Sequence, residues 1–337
     1  MSTIKDVAKR AGVAISTVSA VLNRSAPVSD DTVAKVEAAV AAIGYTPHGA
    51  AQSLRSGRSR LIGLVVPNIA NPHFAAVARE VENVCLNAGY TSVVYSTGQD
   101  AGRESQVLTM MRMQRVAGLI VIPTRSDAEH GAALLNQIHV PTVLLDMYVT
   151  GLPYDVIKTD NVEAGRLATE HLLALGHRRI GIIVGIPGLA TSDDRQAGYV
   201  KAFADRQLTP EPDLVLPGGF DQKVAHDVAL KLLERESPPT AIVTISNMMT
   251  VGLLFAIRER GLVVPRELSI VGIDDLEFAE LLEPKPTAVT TPILQMARRS
   301  ITKLLDQIAG KQLPTGDYEV HQPQLLVRQS TAEPVER

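Results

Sequence analysis

The stretch TIKDVAKRAGVAISTVSAVLN, residues 3–23, decides the fold of the N-terminal region. Its first half repeats an apolar residue at the spacing of one buried helix face: Ile4, Val7, Ala8 and Ala11. Gly12 ends this helix, and the spacing of Val18, Val21 and Leu22 predicts a second helix over residues 15–23. Two short helices joined by a glycine turn are typical of the helix-turn-helix unit, whose second helix enters the major groove of DNA.

A third helix is expected to close the core of this unit. Ser29 stands at its N-cap position, and Asp30 and Asp31 suit the positive end of the helix dipole. The apolar stripe of this helix consists of Val33, Val36, Val40 and Ile43, and Gly44 terminates it. On shape alone, a plain three-helix bundle fits this pattern as well as a DNA-binding unit does.

Charge separates these residues from the rest of the chain. The 337 residues have a net charge of −3, which by itself argues against a nucleic-acid binder. Residues 1–60, however, hold eight basic and four acidic side chains, which leaves −7 for the remainder. Only the N-terminal region therefore has the charge to face phosphate groups.

Composition argues against several other classes of protein. The chain has no apolar run long enough to span a membrane, and its first residues are charged too early for a signal peptide. We therefore expect a cytoplasmic protein with no membrane partner, which also disfavours an exported binding protein. The single cysteine, Cys85, excludes an internal disulfide and a zinc site of several thiolates. We expect no metal and no cofactor.

Three segments resemble the lactose-repressor (LacI/GalR) family of bacterial transcription regulators. They are TIKDVAKRAGVAISTVSAVLN, VSDDTVAKVEAAVAAIGYTPH and AAQSLRSGRSRLIGLVVPNIANPHF. The resemblance includes the TVS..LN of the recognition helix, the GY.P after the third helix, the SLR.GR of the hinge and the LIGLVVP of the sensor domain. It implies a sequence-specific DNA-binding regulator, in the first instance a repressor, whose operator affinity is controlled by a small-molecule effector.

The resemblance implies an all-α helix-turn-helix headpiece at 1–46, a hinge at 47–59 and a two-lobed α/β domain at 60–337. This last domain, which would bind the effector and form the dimer, would have the periplasmic-binding-protein-like fold. Strands and helices alternate from Arg60 onward in two similar series, as parallel sheets require. Lobe 1 is expected at about 60–159 and 291–319, and lobe 2 at about 160–290 and 320–337. The chain would cross between them near 158–161, 289–292 and 318–322.

The DNA contacts that the resemblance implies in the headpiece are Thr3, Ile15, Ser16, Thr17, Ser19, Ala20 and Asn23. Ile15, Ser16 and Ala20 would face base edges, whereas Thr17 and Ser19 can donate hydrogen bonds to phosphates. Many relatives have arginine at the position of Ala20, which reads guanine through two hydrogen bonds. The usual operator therefore does not carry over to this chain.

Residues 47–58 resemble the hinge of the family, a short helix that enters the minor groove. Leu54 matches the apolar wedge at the central base step, and Arg55 would lie beside it in the groove. Gln52 and Ser53 would contact the DNA backbone. A solvated linker remains the alternative for the free protein, because so short a segment has marginal helicity by itself.

Candidate effector contacts are expected where strands end, and they are His73, Phe74, Asp146, Arg195, Phe220, Asn247 and Asp274. An arginine with carboxylates suits hydrogen bonds to a sugar or sugar acid. Two alternatives stay open: Asp274 or Asp160 caps a helix or ties the lobes together, and Phe220 is simply core.

The identity of the effector is less defined. Met147 and Met248 stand where many sugar-responsive relatives have polar residues, so we expect a more apolar pocket than is usual. A carbohydrate derivative is the first choice of effector, and a purine or another small metabolite is the second.

We expect a homodimer bound to double-stranded, pseudo-palindromic operator DNA, because one recognition helix reads too few bases to be selective. Relatives pair largely through the first lobe, and the helix at 74–86 is the candidate surface. An enzyme is disfavoured, since the sequence has no P-loop, nucleophile elbow or zinc-protease motif. A non-specific architectural DNA binder is the remaining alternative, and it would show little sequence preference and no response to a ligand.

The hinge assignment can be tested with Leu54→Ala. Burying a leucine side chain contributes about 1.5–3 kcal/mol, so the variant should bind operator at least about tenfold more weakly. Its affinity for the effector should stay unchanged, because the hinge lies outside the sensor lobes. Fluorescence anisotropy with labelled operator and calorimetry with the effector measure the two affinities. Equal operator affinity in both proteins would disprove the wedge.

Overall fold

The computed structural model describes residues 2–23, 26–45 and 59–335. It divides the chain into two compact units, Met1–Ser59 and Arg60–Arg337. The expected fold class is confirmed: a helical N-terminal unit precedes a two-lobed α/β domain. The hinge residues Gln52, Ser53, Leu54 and Arg55 lie outside the described residues.

Three helices form the N-terminal unit: α1 (Ile4–Ala11), α2 (Ile15–Asn23) and α3 (Asp30–Ile43). Gly12 and Gly44 end α1 and α3 in the left-handed conformation that glycine adopts without strain. The core consists of Val7, Ala8, Val18, Val36 and Ala39. The N-cap at Ser29 differs from the expectation, because its hydroxyl bonds to the Thr32 hydroxyl rather than to the helix backbone.

Lobe 1 contains a six-stranded, fully parallel sheet in the order β11-β5-β4-β3-β1-β2. Its strands are β1 (Leu61–Val66), β2 (Thr91–Ser96), β3 (Gly118–Val121), β4 (Thr142–Leu145), β5 (Asp155–Thr159) and β11 (Tyr318–His321). Its helices are α4 (Pro72–Asn87), α5 (Ala101–Met113), α6 (Ala128–Gln137) and α11 (Ile293–Ile308). Helix α11 packs on α4 and on strand β4, so a late segment of the chain completes this lobe.

Lobe 2 repeats this design in a second sheet with the order β12-β10-β9-β8-β6-β7. Its strands are β6 (Ile180–Val184), β7 (Val215–Pro217), β8 (Ala241–Thr244), β9 (Ser269–Ile273), β10 (Thr287–Thr290) and β12 (Gln324–Leu326), the last of them antiparallel to β10. Its helices are α7 (Asn161–Ala174), α8 (Ala190–Asp205), α9 (Gln222–Leu233) and α10 (Asn247–Arg260). In both lobes the first strand lies between the second and the third, the arrangement whose carboxyl edge forms a binding crevice.

The chain passes from one sheet to the other three times. It leaves lobe 1 after β5, returns after β10, and enters lobe 2 again between β11 and β12. These passes keep the carboxyl ends of the strands of both sheets beside one another. Within the described residues, no helix is both long enough and apolar enough to cross a membrane.

Helices α7 and α8 approach each other so closely that two glycines are required. A Cβ atom at Gly198 would lie 2.0 Å from the carbonyl oxygen of Val162, and one at Gly165 would lie 2.0 Å from that of Arg195. Both obstacles are backbone atoms of a neighbouring helix, which cannot move aside as a flexible side chain can. Gly165 therefore allows α8 to place Arg195 against α7.

We expect Gly198→Ala to lower the free energy of unfolding by at least about 2 kcal/mol, because overpacking forces the helices apart. Gly181→Ala is the matched control, since its added Cβ would meet only side-chain atoms, at 3.4 Å and beyond. Thermal unfolding of both variants measures the difference. A melting temperature of Gly198→Ala equal to that of the control would show that the helices do not depend on this glycine.

Candidate ligand-binding cleft

A cleft with an empty volume of about 450 Å³, part of it open to solvent, lies where strands of both sheets end. Lobe 1 contributes the residues that follow β1, β2 and β4, and lobe 2 those of α8 and those that follow β7, β8 and β9. The lining residues are Asn68, Asn71, Phe74, Gln99, Asp146, Met147, Thr191, Arg195, Phe220, Ser246, Asn247 and Asp274.

A buried ion pair joins Arg195 to Asp274 at the lobe 2 side of this cleft. Arg195 is 2% exposed, and its Nη1 lies 2.9 Å from Oδ2 of Asp274. The same guanidinium donates from Nε to Oδ1 of Asn161 and from Nη1 to the carbonyl of Ile245. Such a buried pair is held firmly in place, because each unmatched charge would be costly to desolvate.

The carboxylate of Asp274 has partners on three sides. Its Oδ1 accepts a hydrogen bond from the hydroxyl of Thr291, which lies where the chain returns to lobe 1. The Nδ1 of His73, from lobe 1, lies 4.0 Å from the same oxygen. Burial works to raise the pKa of Asp274, but the charges of Arg195 and His73 outweigh it and hold that pKa below its usual value.

Asp146 follows strand β4 and is buried, but its carboxylate receives no hydrogen bond from the residues that the structure describes. Burial therefore raises its pKa, against the smaller opposing effects of His73 and Arg195. Its backbone φ is +64°, a left-handed conformation that asparagine and aspartate adopt more readily than most residues. Asp146 is therefore a lining residue whose carboxyl group keeps hydrogen-bonding capacity that a ligand can use.

Phe220 connects the apolar cores of the two lobes. It packs against both, and it lines the cleft from the turn that follows β7. Gly185 makes room for its ring, because a Cβ at that position would lie 2.3 Å from a ring atom. The alternative that Phe220 is only a core residue is therefore incomplete, since this aromatic side chain borders the core and the cleft together.

Direct hydrogen bonds also join the lobes around the cleft. The Nδ2 of Asn247 in lobe 2 donates to Oδ1 of Asn71 in lobe 1 at 2.8 Å, and Oδ1 of Asn71 also caps helix α4. On another side, the backbone N–H of Ala190 donates to the hydroxyl of Ser126. The two lobes are therefore in contact, and side chains of both line the same cleft.

A third contact between the lobes involves Asp194 of α8. Its carboxylate accepts a hydrogen bond from the hydroxyl of Tyr148, and Nζ of Lys158 lies 3.3 Å from Oδ2. Burial and the nearby carboxylate raise the pKa of Tyr148 to about 12. The phenol therefore stays protonated and can donate this hydrogen bond throughout the physiological pH range.

The structure brings six of the seven expected ligand contacts together at the cleft. The seventh, His73, is not among the lining residues; it contacts Asp274 and packs edge-on against Phe74 with ring centroids 5.2 Å apart. Asp160 caps helix α7 by accepting from the N–H of Glu163, which is the alternative role considered for it.

The expectation of a more apolar pocket is wrong. Nine of the twelve lining residues are polar. Of Met147 and Met248, the two methionines on which that expectation rests, only Met147 is among the lining residues. Sequence reasoning missed five polar contributors: Asn68, Asn71, Gln99, Thr191 and Ser246. Asn68 and Asn71 lie within the segment PNIANP that follows β1, so the rule of strand ends could have found them.

The headpiece residues are placed as follows. Ser16 of α2 is exposed, and Thr17, Ser19 and Ala20 are half-buried. Ile15 is half-buried and packs partly against the headpiece core, so part of its side chain is free to face a base. Thr3 begins α1, where its N–H and hydroxyl donate to the carboxylate of Asp6. Asn23 ends α2, and its side chain is not among the described parts.

Comparison with known proteins gives two family matches. Residues 3–48 match the model of bacterial regulatory proteins of the lacI family, and residues 169–331 match that of the periplasmic binding protein-like domain. The chain is 34% identical over 334 residues to the HTH-type transcriptional repressor PurR of Pectobacterium carotovorum subsp. carotovorum, covering 99% of this chain and 98% of that protein. The PurR of Haemophilus influenzae strain PittEE is 33% identical over 98% of both chains.

Solved structures are similar over the whole chain as well. The Lac repressor dimer bound to operator and the anti-inducer ONPF superimposes with a TM-score of 0.88 and 28% identity, covering 98% of this chain and 99% of that one. The transcriptional regulator CelR in its cellobiose complex superimposes with a TM-score of 0.72 and 28% identity, covering 98% and 100%.

A double-mutant cycle can measure the buried pair in the cleft. Arg195→Met alone should lower the free energy of unfolding by about 3–5 kcal/mol, because it leaves Asp274 charged and unmatched. Adding Asp274→Asn should restore a large part of this loss, and asparagine tolerates the φ of +65° at this position. Urea unfolding gives the four free energies, and additive effects would contradict a direct pair.

The pH dependence of the pair has a definite sign. The folded pKa of Asp274 is lowered, so its contribution to stability is present above the unfolded value of about 3.9. That contribution is lost as the pH falls through the folded pKa. Below that pH, the wild type and the double variant should differ less in stability than at pH 7.

Proposed function

The chain belongs to the lacI family of bacterial regulatory proteins and is a DNA-binding transcriptional repressor; from this premise we propose how it acts. It binds a pseudo-palindromic operator as a homodimer in the bacterial cytoplasm, and an effector in the cleft controls its operator affinity. The observation that carries this proposal is the cleft itself, which both lobes line with polar groups. On this proposal the protein is not an enzyme: its cleft binds the effector without converting it.

Polar lining supports a carbohydrate derivative as the effector. Hydroxyl groups donate and accept hydrogen bonds in many directions, which matches amides, hydroxyls and carboxylates placed on both lobes. The similar regulator CelR forms a complex with cellobiose. A purine effector is the second candidate, favoured by the PurR relatives and by the two aromatic rings, Phe74 and Phe220, at the cleft.

A homodimer follows from the need to read two half-sites. The similar Lac repressor is a dimer on its operator. We propose that the exposed face of helix α4 takes part in pairing here. Its exposed residues are Ala75, Arg79, Glu82, Asn83, Leu86 and Asn87, and Leu86 is 60% exposed.

Control of operator affinity is a linkage between two binding sites. An effector that touches both lobes stabilises the closed arrangement, in which the lobes meet, over the open one. It changes operator affinity only to the extent that it binds the closed and the open arrangements with different affinities. Closure would shift the first lobes of the dimer and so change the distance between the hinges. The effector is an inducer or a corepressor according to which arrangement the operator prefers.

Selection of random duplex DNA by the purified full-length protein tests this function. The selection is run near physiological salt, both without ligand and with pools of sugars or nucleobases. We expect enrichment of a pseudo-palindrome, and a change of that enrichment with one of the pools. Bound DNA without a shared sequence in any condition would favour an architectural DNA binder instead.

Two substitutions in α2 separate base reading from phosphate binding. Ser16→Ala should relax the preference at one position of each half-site, with a loss of about 1–3 kcal/mol for the preferred base. Thr17→Ala should weaken binding to every duplex about equally. Repeating the selection with each variant gives both profiles. A relaxed position in Thr17→Ala, or none in Ser16→Ala, would contradict these roles.

A further inference from the structure

We propose that residues 185–189 form an apolar latch, in which the side chain of Leu189 holds lobe 2 against the core of lobe 1. The latch favours the closed arrangement through contacts of the protein itself, so closure does not require an effector. This inference rests on the proposed function only for its effect on the operator, because closure of the lobes is a property of the sensor domain alone.

Leu189 lies on lobe 2 but is buried in the core of lobe 1. The strand before it, β6, and the helix after it, α8, contribute Val184 and Tyr199 to the core of lobe 2. The side chain of Leu189, in contrast, is 3% exposed and belongs to the apolar cluster of lobe 1, together with Phe74 and Met296. Separation of the lobes would therefore expose this leucine to water, and its burial stabilises the closed arrangement over the open one.

The backbone of the latch fixes the position of this side chain. The N–H of Leu189 donates to the carbonyl of Ile186 at 3.2 Å, and its own carbonyl accepts from the N–H of Asp193. The N–H of Gly188 donates to Oδ1 of the same aspartate, in the first turn of α8. Because these bonds lie within lobe 2, the latch is ordered before the lobes meet, and closure costs little further conformational entropy.

Two neighbouring side chains extend the apolar contact of the latch. Ile186 packs partly against the cluster of lobe 1, and Phe220 packs against the clusters of both lobes. The ring of Phe220 lies against the first residue of the latch, because a Cβ added at Gly185 would be 2.3 Å from a ring atom. The apolar contact between the lobes therefore involves three side chains, of which Leu189 is the most buried.

Polar contacts between the lobes follow Leu189 directly along the chain. The N–H of Ala190 donates to the hydroxyl of Ser126 at 3.0 Å, and the carboxylate of Asp194 accepts from the hydroxyl of Tyr148 at 3.2 Å. In the open arrangement these groups would bond to water, so each bond adds a small net gain to closure. Burial of a leucine is a larger gain, and the hydrogen bonds fix the geometry in which it occurs.

Distances between spin labels on the two lobes of the full-length protein test the latch. The labels are attached through Ala128→Cys at the start of α6 and Lys223→Cys at the start of α9, and both positions are exposed. Burial raises the pKa of the Cys85 thiol to about 11, so this residue stays unlabelled at neutral pH. Labelled chains are diluted into an excess of unlabelled chains, so each distance is measured within one chain. No effector is added.

Leu189→Asp should separate the lobes, because a carboxylate is costly to bury in an apolar core without a partner. In the open arrangement this position is solvated, and aspartate also suits the N-cap of α8 that Leu189 occupies, so both lobes should stay folded. A longer distance between the labels should become the main population. Circular dichroism should show an unchanged content of helix and strand.

Leu232→Ala is the matched control, because Leu232 is fully buried in the core of lobe 2 itself. This variant should lower the melting temperature and keep the wild-type distance between the labels. The wild-type distance in Leu189→Asp would overturn the latch. An equal lengthening in Leu232→Ala would overturn it too, because any loss of core packing would then open the lobes.

Operator binding separates this failure from that of the proposed function. It is measured with the duplex that the selection enriches, and Leu189→Asp should change the affinity about tenfold or more, in the direction of the arrangement that the operator prefers. Leu232→Ala should keep the wild-type affinity. A longer distance with unchanged operator affinity rejects the proposed coupling of lobes and operator and leaves the latch in place, whereas an unchanged distance rejects the latch alone.

Discussion

The buried pair of Arg195 and Asp274 is the contact on which the sensor domain depends. It fixes the middle of α8 to the end of β9, and Thr291 attaches the same carboxylate to the segment that returns to lobe 1. His73 adds a contact from lobe 1 itself. Because a buried charge is tolerated only with its partner in place, these elements must assemble together.

Much of the fold could be predicted from the sequence because buried parallel strands leave a clear signature. Continuous apolar runs such as LIGLVV and RIGIIVG predict strands that are covered on both faces. Strand β5 has no such signature, because its sequence DVIKT has charged residues at two of its five positions. Asp155 is accommodated there by donors from Gln307 and from the loop at 315–317, far away in sequence. Periodicity cannot reveal such a long-range partner.

The cleft was predictable to the extent that it follows from topology. Asp146 and Asp274 come directly after strands, and parallel strands of both lobes end at this cleft, so their side chains meet. The prediction of an apolar cleft is wrong for a different reason. It rests on the methionines at 147 and 248 and takes no account of the polar residues around them. Met248 is absent from the lining, whereas Thr191 and Ser246 enter it through helix starts. Which side chain of a helix start points into a cleft depends on how the lobes pack.

Contacts between the lobes set the starting balance that an effector of the proposed kind would shift. The bonds from Asn247 to Asn71 and from Ala190 to Ser126, together with Phe220 between the cores, favour the meeting of the lobes by protein contacts alone. An effector then has to supply only a difference in binding free energy between the open and closed arrangements of the lobes. A difference of a few kcal/mol is enough to change their populations greatly. Strong contacts between the lobes would leave a ligand little to change. On the proposed function, an effector that bridges both lobes at this polar cleft adds to these contacts and so shifts the balance between the two arrangements.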